Sequence, residues 1–237
     1  MQIMAFASQK GGAGKTTLAG HIAVQAERMG AGPVALLDAD PQGSLADWWN
    51  ERKAETPVFV HTSIARLEDD IERLRGFGIE LLVIDTPPAI TDTIAEVISL
   101  SDLVVIPTRP SPHDLRSVAR TVDVAENMGK PLVFVVNGAS ARANITTDTA
   151  IALSQYGTLA PSIIHQRTDF ASSMIDGRTV MEISRKSRSN DEIIALWSYL
   201  DGRLERLRRP TMRPPANGLL HSFGLTQDHQ PQDRSLT

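Results

Sequence analysis

The sequence predicts an α/β protein, a mostly parallel, twisted sheet flanked by helices, and three observations carry that prediction. Short apolar runs rich in β-branched residues recur at Ile3–Ala7, Val34–Leu37, Val58–His61, Leu81–Ile84, Leu103–Ile106, Leu132–Val136 and Ile163–His165. Continuous runs of this kind read as strands buried on both faces. Stretches with helical spacing separate most of them, the alternation that builds βαβ units around a parallel sheet. The first run leads directly into a glycine-rich loop, SQKGGAGKTT, which opens a helical stretch.

Three further helices have signals of their own. Ser63 precedes Ile64, Leu67, Ile71 and Leu74, the pattern of an amphipathic helix with a hydroxyl at its N-cap. The stretch Pro112 to Met128 begins with proline, whose missing N–H costs nothing at the first helical position. From Ile193 onward, Trp197, Leu200, Leu204 and Leu207 fall on one stripe, which predicts the last helix of the domain. Beyond Arg209 the chain reads PTMRPPANG and then a polar stretch too poor in apolar residues to pack. We therefore expect one domain over residues 1–209 and a disordered polar tail over 210–237. No internal repeat or coiled-coil heptad is visible.

Composition narrows the class. With 237 residues, 41% hydrophobic and 22% charged, the chain supports one substantial core. A formal net charge of −4 argues against a protein that coats nucleic acid with its whole surface, so any DNA contact must be regional. The lack of cysteine excludes disulfides, thiolate metal sites and iron–sulfur ligation, and fits the cytoplasm. No run approaches the roughly 18 apolar residues that a membrane-spanning helix needs.

Strand, glycine-rich loop and helix, in that order, are what a phosphate-binding loop requires. Gly11, Gly12 and Gly14 open backbone angles closed to other residues, so that loop amides, including those of Ala13 and Thr17, can approach phosphate oxygens. Lys15 is expected against the β- and γ-phosphates of a bound nucleotide and Thr16 on Mg²⁺. The following helix adds the positive end of its dipole. Acidic residues follow at predicted strand ends: Asp38 and Asp40 in LLDADPQGS, and Asp85 in ELLVIDTPP. Strand ends in parallel sheets open onto the ligand crevice. Each aspartate alone could equally cap the next helix.

The strict Walker pattern fails at Gln9, where its first glycine belongs, and Lys10 adds a second lysine at the start of the loop. This resembles the deviant Walker A motif of the ParA/MinD family of P-loop ATPases. The likeness runs through QKGGAGKTT, DADPQGS, VIDTPP, IPTRPSPHDL and FASSMIDGRTVMEI, over most of residues 2 to 185, and is strongest to small ParA-type partition ATPases. It implies ATP and Mg²⁺ as ligands and an ATP-dependent homodimer in which Lys10 reaches the partner subunit's nucleotide. It also implies that Asp38 and Asp85 support the Mg²⁺ shell, that Asp40 positions or activates the hydrolytic water, and that Asn137 contacts adenine. On its own, Asn137 before Gly138 reads equally as a turn former.

The resemblance further implies non-specific DNA binding and a ParB-like or other adaptor that stimulates hydrolysis. Arg178, Arg185, Lys186 and Arg188 cluster just before the last helix and are the expected DNA contacts, since neutralising phosphates needs no base readout. Arg203, Arg206, Arg208 and Arg209 crowd that helix's end, where cations also simply favour the dipole. Because the loop begins by residue 10, we expect no helix-turn-helix region ahead of it. The main alternative is a MinD-like ATPase that binds membranes through the amphipathic stretch from Ile193 to Arg209. A small-molecule synthetase on the same fold and a non-hydrolysing adaptor are weaker alternatives, the second opposed by Asp40.

Overall fold

We describe residues 1–89, 92–141, 144–183 and 186–208 in a computed structural model of the chain. The elements, in order, are β1 (Gln2–Phe6), α1 (Lys15–Arg28), β2 (Val34–Asp38), α2 (Ser44–Asn50), β3 (Val58–Val60), a 3₁₀ turn (Ile64–Arg66), α3 (Leu67–Gly76), β4 (Leu81–Asp85), α4 (Asp92–Leu100), β5 (Leu103–Thr108), α5 (Pro112–Asn127), β6 (Leu132–Ala139), α6 (Asn144–Ser154), β7 (Thr158–Leu159), β8 (Ile164–His165), α7 (Thr168–Met174), α8 (Val180–Ile183) and α9 (Arg188–Arg208).

The strands form one sheet in the order β3-β2-β4-β1-β5-β6-β7, with β8 pairing on β6, and every pairing is parallel. Strands β1, β4 and β5 lie in the middle, and all but Gln2 of their residues are buried. One face of the sheet packs Met4, Phe6, Leu36, Val83, Val105 and Val135 against α1, α2 and α9. The other face splits into two clusters: α3 covers Ile3, Ala5, Leu37 and Ile84, while α4, α5 and α6 cover Val104, Ile106, Phe134 and Val136. Both faces are dry, which is why the strands read as continuous apolar runs.

All seven predicted strands form, each displaced by at most a few residues. A two-residue edge strand, β7, was not predicted. Ser111 caps α5 by accepting from the Asp114 amide, with Pro112 at the first helical position, as expected. Ser63 does not act as expected. Its side chain makes no cap bond, and a 3₁₀ turn intervenes before α3. The neighbouring Thr62 supplies the polar contact instead, its hydroxyl donating to Asp70. The last helix begins at Arg188, five residues before Ile193, so Arg188 lies in its first turn rather than ahead of it. The tail over 210–237 lies outside the described residues.

Candidate functional site

The sheet order brings the motif ends together. In register, Phe6 pairs with Asp85 and Asp85 with Asp38, so β1, β4 and β2 end side by side at the carboxyl edge of the sheet. Thr86 locks this edge, its buried hydroxyl donating to Phe6 O at 2.9 Å. The glycine-rich loop rises from β1, and α1 starts at Lys15.

Gly14 caps α1 with φ 97°, a left-handed conformation that disfavours any side chain. Space forbids one as well, since a Cβ there would lie 2.1 Å from Asn137 Nδ2. Asn137, at the end region of β6, donates from that Nδ2 to Ala13 O at 2.6 Å. Asn137 is thus neither a free turn residue nor wholly available to a base. One N–H of its amide braces the loop, and its oxygen and second N–H are left for a ligand.

Lys15 is only 6% exposed, and desolvation lowers its pKa, with Asp85 and then Asp40 opposing the shift. Asp85 is fully buried. Desolvation pushes its pKa up to about 7, while the Thr16 hydroxyl that donates to its Oδ2 pulls the other way. Its second oxygen, Oδ1, is buried without a hydrogen-bond partner. A desolvated carboxylate with one open oxygen, beside a hydroxyl and an ammonium, is a group that awaits a cation. Among the described residues, no three His, Cys, Asp or Glu side chains gather into a metal cage. Thr16 and Asp85 offer the one or two protein groups by which Mg²⁺ is typically held, the rest coming from phosphate oxygens and water.

Asp38 is more fully used. Its carboxylate accepts from the amides of Asp40 (2.9 Å), Leu45 (2.9 Å) and Ala46 (3.0 Å), which fixes the start of α2, and burial raises its pKa despite those bonds. It therefore does the capping work, and any metal support from it is indirect. Asp40 accepts from the Gln42 amide at 3.0 Å and stays at the edge of the cleft.

The glycine loop, Lys15, Thr16 and Asp40 line a cleft of 880 Å³ that also takes in Asp47, Trp48, Glu51, Pro88, Arg109, Met174 and Ile175. A smaller cavity of 190 Å³ adjoins the loop behind Asn137, bounded by Thr17, Arg109, Gln166 and Phe170. Sequence reasoning overlooked Arg109. Its position just after the apolar run of β5, at a carboxyl strand end, was the available signal. Lys10 stands exposed at the loop's start, and among the described residues neither Lys10 nor Arg109 lies within 4 Å of an acidic group.

The expected DNA residues are not gathered at this cleft. Arg178 pairs with Asp176 at 2.7 Å, Lys186 and Arg188 are exposed, and Arg185 lies outside the described residues. At the far end of α9, Arg208 pairs with Glu80 at 3.2 Å. Arg209 lies outside the described residues.

A parallel sheet with a glycine loop after its central strand, an extra lysine at the loop's start and acids at two neighbouring strand ends defines a deviant Walker A P-loop protein of the ParA/MinD class. Within it, the chain belongs to the VirC1 protein family, whose profile matches residues 1–197. It is 28% identical over 206 residues to the maintenance of carboxysome distribution protein A of Halothiobacillus neapolitanus, a match covering 80% of this chain and 92% of that relative. Among solved structures it resembles apo McdA of Cyanothece (TM-score 0.71, 17% identity, 86% of this chain and 99% of that one). It also resembles the septum site-determining protein MinD with Mg-ADP from Pyrococcus horikoshii (TM-score 0.71, 16% identity, 87% and 98%). At such identities these two likenesses speak to the fold.

Proposed function

We propose that this chain is a Mg²⁺-dependent ATPase that dimerises on ATP, binds DNA without sequence preference while dimeric, and is released when a partner protein stimulates hydrolysis. Its work would be to partition DNA or to position a cellular cargo in the cytoplasm. One observation carries the reading: Lys15 and Thr16 line the cleft, Thr16 donates to the buried Asp85, and Lys10 at the start of the same loop stands exposed with no acidic group within 4 Å among the described residues.

Each residue has a role that follows from its setting. Backbone amides from Gly11 to Thr17 and the N-terminus of α1 would hold the phosphates, and Lys15, already desolvated, would neutralise the β- and γ-oxygens. Thr16 and Asp85 would hold Mg²⁺, which supplies neutralisation of charge on the transferring phosphoryl group. Asp40, fixed by the Gln42 amide at the cleft edge, would orient the attacking water. Lys10 would complete the site of the second subunit.

DNA contact is assigned to the exposed Lys186 and Arg188 and, on the sequence alone, to Arg185, with Arg178 a weaker member because Asp176 engages it; a dimer would double these cations. The MinD-like membrane alternative loses ground on one point. Ile193, Leu196, Trp197, Leu200 and Leu204 of α9 are buried in the core and so are not available to lipid, and of the predicted stripe only Leu207, 40% exposed, faces out. No helix among the described residues is long and apolar enough to cross a membrane.

The test is steady-state ATP hydrolysis with direct nucleotide binding. Lys15→Ala is expected to abolish turnover, and Asp40→Ala to reduce it by about a hundredfold or more while ATP still binds. Undiminished turnover in Asp40→Ala would remove that residue from the mechanism.

A further inference from the structure

The outer face of α2 has no partner within the described chain. Leu45 and Trp48 are buried beneath it, whereas Ser44, Asp47 and Glu51, at i, i+3 and i+7, face outward and are exposed. Among the described residues, neither Asp47 nor Glu51 lies within 4 Å of a cation. Both line the rim of the 880 Å³ cleft, as does Arg109.

The sheet fixes where these rims lie. α2 follows β2 and Arg109 follows β5, and those strands flank β4 and β1 on opposite sides. An acidic rim and a basic rim thus face each other across the phosphate loop, each with unpaired charge. Ile175, 77% exposed and next to the partly buried Met174, adds an apolar surface at the same mouth.

We infer that the α2 rim and the Arg109 rim form a self-complementary recognition surface for a second copy of this chain, with Asp47 and Glu51 of each subunit set against Arg109 of the other and Ile175 covered between them. The inference rests on the dimer reading above and names the residues that make the pairing selective. A two-fold axis running along the cleft between the rims exchanges them, so that each acidic rim meets a basic one twice over. Charge of this arrangement selects the partner and speeds the encounter more than it adds affinity, and like charges in the same places oppose it.

The experiment measures the dimer dissociation constant by sedimentation with Mg²⁺ and a non-hydrolysable ATP analogue, at saturation for each variant. Asp47→Lys/Glu51→Lys places cations against Arg109, and Arg109→Glu places acids against acids. Each variant alone is expected to dimerise at least about tenfold more weakly than the wild type. In an equimolar mixture both junctions become complementary again, and the heterodimer is expected to form within about threefold of the wild-type constant. A readout independent of Arg109 is salt. Added KCl should weaken the wild-type dimer, and Asp47→Asn/Glu51→Asn should flatten that dependence.

Variants that dimerise like the wild type, or a mixture no tighter than its components, would overturn the inference while leaving the dimer intact. A wild type that stays monomeric with the analogue would overturn the dimer reading and this inference together.

Discussion

His21 illustrates how much of the site is set by residues that carry no motif. Its ring is fully buried on α1, with Nδ1 2.7 Å from Thr17 O and Nε2 accepting from the Val180 amide at 3.2 Å. Only the neutral tautomer protonated at Nδ1 satisfies both contacts. Desolvation drives its pKa down from 6.5 to about 4, against the Thr17 carbonyl and Glu182. The folded state therefore binds fewer protons than the unfolded chain between those values, so this contribution to stability is complete above pH 6.5 and is lost as pH falls toward 4. The shift corresponds to about 3 kcal/mol. Denaturant titrations of wild type and His21→Gln should show their stability gap narrowing by about that amount over this window. A constant gap would mean that His21 titrates normally. At this scale the sequence disclosed Lys10, Lys15, Thr16, Asp38, Asp40 and Asp85, because their chemistry is fixed by spacing. It hid His21, because a lone histidine in a helix has no pattern, and it hid the bracing role of Asn137, which depends on a contact across 124 positions.

Among elements, the short helix α2 couples more of the molecule than its seven residues indicate. Its first turn hangs on Asp38, and Arg52, two residues beyond its end, is nearly buried and bonds both Glu182 oxygens at 2.9 and 2.7 Å and Gly177 O at 2.8 Å. Trp48 donates to Arg178 O at 3.1 Å and lies under the Arg52 guanidinium, 5.5 Å from its centre. Burial raises the Glu182 pKa, but Arg52 and Thr179 outweigh it and hold the carboxyl below its usual value. The Asp38 strand end and the segment 177–182 are thus joined through one helix. Removing one partner of a buried pair leaves the other uncompensated, so Glu182→Gln should cost about 3 kcal/mol by thermal or chemical unfolding. A loss under about 0.5 kcal/mol would mean that water already screens the pair. Gly177 has φ 72°, and a Cβ there would lie 2.3 Å from the Arg52 backbone, so Gly177→Ala should weaken the same joint. Strands were legible because burial on both faces leaves unbroken apolar runs. The two-residue β7, Thr158–Leu159, holds a single aliphatic residue and so left none, and a 3₁₀ turn rather than α3 follows Ser63.

For the whole molecule, a parallel α/β sheet was readable from alternation alone, since βαβ crossovers demand it. What the sequence could not supply was the placement of charge. With a net charge of −4, Asp47 and Glu51 take one rim of the cleft and Arg109 the other, while Lys186 and Arg188 lie elsewhere. If DNA is bound through phosphates by an ATP-bound dimer, affinity should require ATP and fall steeply with salt, and charge reversal at Lys186 and Arg188 should lower both the affinity and the salt slope. Binding that is insensitive to salt would contradict backbone contact.

The central claim is that Lys10 turns a nucleotide site into a dimerising switch. Its most direct test is the mass of the protein in solution with Mg²⁺ and a non-hydrolysable ATP analogue, compared between wild type and Lys10→Ala, with nucleotide binding measured in parallel. A dimer is expected for the wild type, and for Lys10→Ala a monomer that still binds the nucleotide. A Lys10→Ala protein that dimerises as the wild type does would contradict it.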